Sequence, residues 1–276
     1  ALELTATNTY SGGTTVGGGV LRLSNSAALP GGNLTLVGGV VELAAGDFTR
    51  ALGTSAGQVQ FTDDGGFSAS GANRVVNLGG TSAQVTWAAN GFLPDGSTLL
   101  LGSASDDSMV DFQNPINLGA VTRTVQVTGG SASVDAQLSG LLSGSGGLIK
   151  SGNGTLALTN TDNYANGFTG GTTIAGGTLE YSDPSAVDGG NIEFAGGNLV
   201  LSLGGISGGG SVSSTDGASR RAALSPSAGG ESPAAPAPAA YRPPVAGVPE
   251  PCTRGRRVVA QPARQGLVAR LRRRRA

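Results

Sequence analysis

The residues of this chain that have chemistry to offer are mostly carboxylates. Asp63 and Asp64 are adjacent, Asp106 and Asp107 are adjacent with Asp111 close behind, and Asp135 stands by itself. Paired carboxylates can divide general-acid and general-base work on a glycosidic bond, or share a calcium ion. Successive residues on a strand point to opposite faces, so Asp63 and Asp64 cannot both line one cleft from a strand. They directly precede Gly65-Gly66, which makes a solvated turn the simpler reading. Asp106-Asp107 lies between serines and reads as a loop, and the Gly-Gly-x-Gly-x-Asp calcium repeat is absent. The chain has no histidine, so Ser-His-Asp and Cys-His machinery and imidazole metal ligands are excluded. Its one cysteine, Cys252, makes neither an intrachain disulfide nor a zinc site. The one tryptophan, Trp87, is expected to pack inside the fold rather than to stack on a ligand. No catalytic, cofactor-binding or metal-binding residue is assigned, and no cofactor is expected.

Composition narrows what can hold such residues. Glycine accounts for 49 of 276 residues without a Gly-X-Y period, and aromatics are only 4%. The apolar residues are Val, Leu, Ile and Ala, which suit thin repeated layers better than a broad core. Residues 1–218 hold 5 Lys+Arg against 16 Asp+Glu, a net of −11, whereas residues 219–276 hold 12 Arg against 2 Glu, a net of +10. The two segments need separate readings.

The chain repeats itself. Residues 11–43 align without gaps on 169–201, and 15 of the 33 positions are identical. Within each copy recurs a shorter unit: two glycines, any residue, an apolar one, any residue, an apolar one. Examples are Gly18-Gly19-Val20-Leu21-Arg22-Leu23, Gly31-Gly32-Asn33-Leu34-Thr35-Leu36 and Gly176-Gly177-Thr178-Leu179-Glu180-Tyr181. Paired glycines allow the positive φ of a sharp corner, and the alternation behind them is a strand with one buried face. Leu21 and Leu23 are expected to face in and Arg22 to face water. The units begin at Gly18, Gly31 and Gly38 in the first copy and at Gly176, Gly189 and Gly196 in the second, with the same long-then-short spacing. That rhythm fits one β-solenoid coil of roughly 20 residues. Coils stacked ~4.8 Å apart would number about ten over residues 1–218, giving a rod roughly 50 Å long. A hairpin-built sandwich is the competing fold. Asn8, Asn33, Asn160 and Asn191 recur at coil corners and are read as stacked asparagine ladders.

The stretch Gly144-Ser145-Gly146-Gly147-Leu148-Ile149-Lys150-Ser151-Gly152-Asn153-Gly154-Thr155-Leu156-Ala157-Leu158-Thr159, continued through Gly170-Gly171-Thr172-Thr173 to Gly176-Gly177-Thr178-Leu179, resembles the autotransporter-associated β-strand repeat, also called the passenger-associated transport repeat. Residues 2–23 look like a second copy that lacks its front end. The resemblance is strong for 144–201 and 2–43 and weak for 44–143. It implies an all-β fold, a right-handed parallel β-helix, in a bacterial secreted or cell-surface protein. It also implies a stalk, scaffold or adhesin-like passenger role, and it brings no catalytic residues. Lys150, the only lysine, falls within the repeat, where a solvated position is the default. Residues 44–143 are read as divergent coils of the same rod, with strands at Gln58-Val59-Gln60-Phe61, Gln84-Val85-Thr86-Trp87 and Thr124-Val125-Gln126-Val127. Expected partners are glycans or other surface proteins, met through weak multivalent contacts. The alternative is a carbohydrate-active β-helix, a polysaccharide hydrolase or lyase using the Asp residues.

Residues 219–276 form a second segment, a low-complexity Pro/Ala/Arg-rich tail expected to be extended and disordered. Within it, Val248-Pro249-Glu250-Pro251 and Arg272-Arg273-Arg274-Arg275 resemble the two ends of a PEP-CTERM sorting signal. The stretch 252–271 between them is about as long as a membrane span. It nevertheless contains Arg254, Arg256, Arg257, Arg264 and Arg270. Each arginine costs ~2.5–3.5 kcal/mol near a bilayer centre, so the segment as written should not insert. With Tyr241 as its only aromatic, the tail is not expected to bind nucleic acid. Contact with a membrane is expected only through parts missing or garbled here, and the strand-like opening Leu2-Glu3-Leu4 implies a missing N-terminus. The tail's composition fits a frameshift in a GC-rich gene, restored before the final arginines. Resequencing the locus should then return an apolar span after Pro251, and a clean read of the same residues overturns this.

Overall fold

The computed structural model describes residues 1–162, 167–181 and 191–201, with the strands Val212–Ser214 and Ala223–Leu224. The tail assigned to 219–276, with Cys252 and the sorting-signal resemblance, otherwise lies outside the described residues. The described residues contain no helix, and four sheets account for every strand. The longest sheet has ten strands: β1 (Leu2–Leu4), β3 (Gly19–Leu23), β5 (Gly39–Leu43), β7 (Gly65–Ala69), β10 (Leu99–Leu101), β13 (Arg123–Val127), β16 (Leu148–Ser151), β18 (Thr172–Ile174), β20 (Ile192–Phe194) and β22 (Val212–Ser214). A seven-stranded sheet comprises β8 (Arg74–Val76), β11 (Val110–Phe112), β14 (Ala136–Leu138), β17 (Thr155–Leu158), β19 (Thr178–Tyr181), β21 (Asn198–Leu201) and β23 (Ala223–Leu224). Two three-stranded sheets complete the coils: β2 (Thr14–Val16), β4 (Leu34–Leu36) and β6 (Val59–Phe61) early in the chain, then β9 (Val85–Thr86), β12 (Ile116–Asn117) and β15 (Leu142–Ser143).

Neighbours in the ten-stranded sheet pair in parallel, each strand with the equivalent strand of the next coil. This is a parallel β-solenoid of ten rungs, the number read from the repeat spacing. The runs expected to be strands at 58–61, 84–87 and 124–127 fall on β6, β9 and β13. Alternation along each strand sends Leu21, Val41, Phe67, Leu101 and Val127 into one interior column, in register from rung to rung.

A uniform coil length holds only near the ends. Leu2 pairs with Leu21 and Leu21 with Val41, offsets of 19 and 20, and Ile174 pairs with Phe194, an offset of 20. Between them Val41 pairs with Phe67, Phe67 with Leu101 and Leu101 with Val127, offsets of 26, 34 and 26. These longer coils enclose more space, and rings fill it. Phe48 lies 4.8 Å from Phe67, Phe61 lies 5.4 Å from Phe92, Trp87 lies 5.6 Å from Phe92, and Phe92 lies 6.0 Å from Phe112, centroid to centroid. Six of the scarce aromatics thus gather along the longer coils, and Trp87 packs inside, as expected.

Asn8, Asn33 and Asn160 bridge rungs instead of stacking on one another. Asn8 donates to Ala28 O at 2.8 Å, Asn33 to Gly53 O at 2.9 Å and Asn160 to Ser139 O at 3.2 Å, each on the adjacent coil. The residues these amides meet on the adjacent coil are Ala28, Gly53 and Ser139, so no like side chain is there to stack on.

Close rung spacing, more than positive φ, makes some glycines obligatory. A Cβ on Gly32 would sit 2.1 Å from Gly12 O of the preceding coil, whereas one on Gly31 meets nothing within 4 Å. Gly32→Ala should therefore destabilise the solenoid by about 1–3 kcal/mol. Gly31→Ala should stay within about 0.5 kcal/mol of wild type. Denaturant midpoints of the two variants measure the difference.

Candidate functional site

The outer face of the ten-stranded sheet should be polar and wet, yet β5 and β7 are buried on both faces. The cause is the long coil that runs through β10. Its continuation, Gly102–Ser108, folds back as a strap over the sheet and ends in an antiparallel bridge between Ala69 and Ser108. Beneath the strap lies a ladder of alternating charge. Glu3 pairs in register with Arg22, and Arg22 with Glu42. Arg22 Nη1 lies 3.1 Å from Glu42 Oε1, while Arg22 Nη2 donates to Ser70 Oγ at 2.8 Å. Glu42 is fully buried, and its Oε2 accepts hydrogen bonds from Ser103 Oγ at 2.8 Å and Ser105 Oγ at 2.7 Å, both on the strap. Arg22 is half-buried by this arrangement instead of facing open water. The ladder was legible in Leu2-Glu3-Leu4, Leu21-Arg22-Leu23 and Val41-Glu42-Leu43, where opposite charges occupy equivalent positions of successive units. Nothing local to Glu42 signals its burial.

Asp106 occupies the centre of the strap and is 2% exposed. Its Oδ2 accepts the Ser103 amide at 2.8 Å, and its Oδ1 has no hydrogen-bond partner. That oxygen faces Gly130 so closely that a Cβ there would lie 1.7 Å from it. Burial raises the Asp106 carboxyl to about 7, opposed by the Ser103 amide and reinforced by the charges of Asp135, Glu42 and Asp107. Asp135, also buried, accepts the Gly130 amide at 2.8 Å and the Thr155 amide at 2.7 Å. Exposed Asp107 accepts the Gly71 amide at 2.6 Å, which with the Ser108 hydroxyl holds its carboxyl below the ordinary value.

The other carboxylates stand apart. Asp63 and Asp64 lie in the bend before Gly65, as expected, where Asp64 accepts the Thr98 amide of the next coil at 2.7 Å. Asp111 projects from the outer side of β11, between Val75 and Gln137, and accepts Gln113 Nε2 at 3.3 Å. The fold therefore brings Asp106 and Asp135 together with Glu42, which sequence reasoning missed, and leaves Asp111 elsewhere. Among the described residues no group of three or more Asp, Glu, Cys or His side chains is arranged to hold a metal ion.

The solvated position expected for Lys150 is overturned. Lys150 is fully buried, in register between Val125 and Ile174 of a second interior column. Its Nζ donates to the carbonyls of Gly152 at 3.0 Å, Gly154 at 2.6 Å and Gly176 at 2.9 Å, closing two successive coils around one ammonium. Burial lowers it to about 8, with Asp135 acting in the other direction. Arg123 is similarly enclosed, donating to Leu118 O at 2.9 Å and Asp95 Oδ1 at 2.7 Å, with its guanidinium 5.6 Å from the Trp87 ring centroid.

The coil that carries Lys150 also carries a family likeness. The model of the passenger-associated transport repeat matches residues 1–23 and 148–180. These two stretches are similar to that repeat. They include β1 and β3 at one end of the stack and the Lys150 coil towards the other. The chain is also similar to the adhesin BmaC autotransporter of Brucella suis biovar 1 (strain 1330), at 29% identity over 59% of this chain. The match spans only 6% of that relative's length. No solved structure matches. Both likenesses, to a passenger-associated repeat and to an autotransporter adhesin, are to secreted or cell-surface proteins.

Lys150→Met should keep the aliphatic stem and leave three carbonyls, one buried and two part-buried, without their donor, at a cost of about 1–3 kcal/mol. Because the folded-state value is lowered, the unfolded chain holds a proton between about pH 8 and 10.5 that the folded chain does not. Wild-type stability relative to the Met variant should rise with pH across that window, measured by denaturant titration at each pH.

Proposed function

We propose that this chain is an adhesin-like, non-catalytic passenger module that meets surface partners through weak, repeated contacts along its outer faces. The observation that carries the reading is the fate of its charges. Every cationic side chain among the described residues is engaged internally: Arg22 with Glu3 and Glu42, Arg50 with the carbonyls of Leu29, Pro30 and Gly32, Arg74 with Ala44 O, and Arg123 and Lys150 as described. Glu3, Asp47, Asp63, Asp95, Asp107 and Asp162 meet solvent. Such a surface disfavours nucleic acids and acidic polysaccharides, so the partners are neutral glycans or basic protein surfaces. The name of the Brucella relative, an adhesin, supports the same role. Apart from β23, which pairs with β21, residues 219–276 are proposed to be a low-complexity tail.

The non-catalytic reading rests on how the carboxylates are used. Asp64, Asp107 and Asp135 each accept backbone amides, and Asp106 is covered by its own strap. A hydrolase or lyase needs carboxyl groups that reach substrate.

Cells displaying the solenoid should attach to immobilised neutral glycans or basic proteins more than cells displaying a deletion of residues 1–201. Attachment to basic proteins should weaken as salt is raised from roughly 50 to 500 mM. Equal attachment with and without the solenoid defeats the proposal. So does turnover of a polysaccharide that is lost in Asp106→Asn, Asp107→Asn or Asp111→Asn.

A further inference from the structure

We infer that the Gly102–Ser108 strap is a proton-operated latch, docked on Glu42 while Asp106 carries a proton and lifted at its middle when Asp106 ionises. The geometry separates fixed ends from a conditional centre. At one end the Gly102 amide donates to Phe67 O at 3.0 Å. At the other, Asp107 accepts the Gly71 amide and Ser108 bridges to Ala69. Neither anchor depends on the state of Asp106. Between them the strap is held down by two serine hydroxyls that converge on one oxygen of Glu42.

The charges around Asp106 make its ionisation unfavourable while the strap is down. Glu42 on β5, Asp135 ahead of β14 and Asp107 on the strap itself all act on it with the same sign. The cations nearby serve other groups, Arg22 pairing with Glu42 and Lys150 acting on Asp135. Asp106 Oδ1 is buried without a donor and faces the backbone of Gly130, where a neutral carboxyl is tolerated and a carboxylate is not. Lifting the Ser103–Asp106 segment hydrates that carboxylate and relieves all three repulsions. It also exposes Glu42 and Ser68 on the outer face of the solenoid.

The sign follows from the raised value. Between about 4 and about 7 the docked state holds a proton that an open or unfolded state does not, so docking is full at low pH and lost as pH rises through 7. This latch is independent of the adhesive reading, because its test follows strap amides and not attachment.

Hydrogen exchange of the full chain, corrected for intrinsic rates, tests it at pH 5.5 and 8.5. Protection of the Ser103, Asp106 and Ser131 amides should fall at least about tenfold at the higher pH, while amides of β10 and β13 stay protected. Asp106→Asn should keep the strap protected at both pH values. Ser105→Ala removes an exposed latch hydroxyl without touching the core, and should lower strap protection at pH 5.5 with the ladders intact. Wild-type protection that does not change with pH, an equal loss in Asp106→Asn, or full protection in Ser105→Ala would each overturn the latch.

Discussion

The parallel backbone ladder between successive coils is the constraint on which everything else in this molecule rests. Once rung n pairs in register with rung n+1, each inward side chain is stacked on the equivalent residue of its neighbours, and each corner must clear the corner before it. This is why Leu21, Val41 and Phe67 form one column although the second of the two coils that join them is longer than the first. It is also why Gly32 has no room for a side chain while Gly31 does. Chain length between ladder positions is free to vary, provided that each excursion returns to register. The variable lengths are accommodated at the corners, where loops project, and in the interior, where rings replace small aliphatics.

Those excursions generate the chemistry of the site. A coil of the shortest kind, such as the one from Leu21 to Val41, has nothing left to fold over its own outer face. The coil from Phe67 to Leu101 and its successor are longer, and the successor supplies the strap that covers Glu42. Burial of charge here therefore follows from insertion length. An ion ladder that would be ordinary surface decoration becomes a desolvated seam, with a neighbouring carboxyl pushed to about 7. The interior shows a complementary solution at Lys150, where converging corner carbonyls take the place of a counter-ion.

Much of this was legible in the residues and some was not. Diglycine corners and period-two alternation are local signals, and they located strands even in the divergent middle. The parity of Leu148-Ile149-Lys150 also placed Lys150 on the same side as Leu148. The expectation that a charge seeks water overrode that signal, because the carbonyls that receive it come together only when Gly176 of the next coil arrives. Burial of Glu42 was not legible, since its hydroxyl donors lie 61 and 63 residues away. The expected asparagine ladders failed for a related reason: which residue faces a corner is set by the adjacent coil, and Asn8, Asn33 and Asn160 meet Ala28, Gly53 and Ser139 there.

The hydrogen bonds of a stacked ladder point along the axis of the stack, and that direction has a mechanical consequence. Tension applied between the two ends loads the bonds of one rung at a time, as in opening a zipper, and does not shear many strands together. Each coil of roughly 20–34 residues that peels away releases on the order of 70–120 Å of chain. A tether built in this way lengthens stepwise at modest force and dissipates a pull that would snap a stiff linkage.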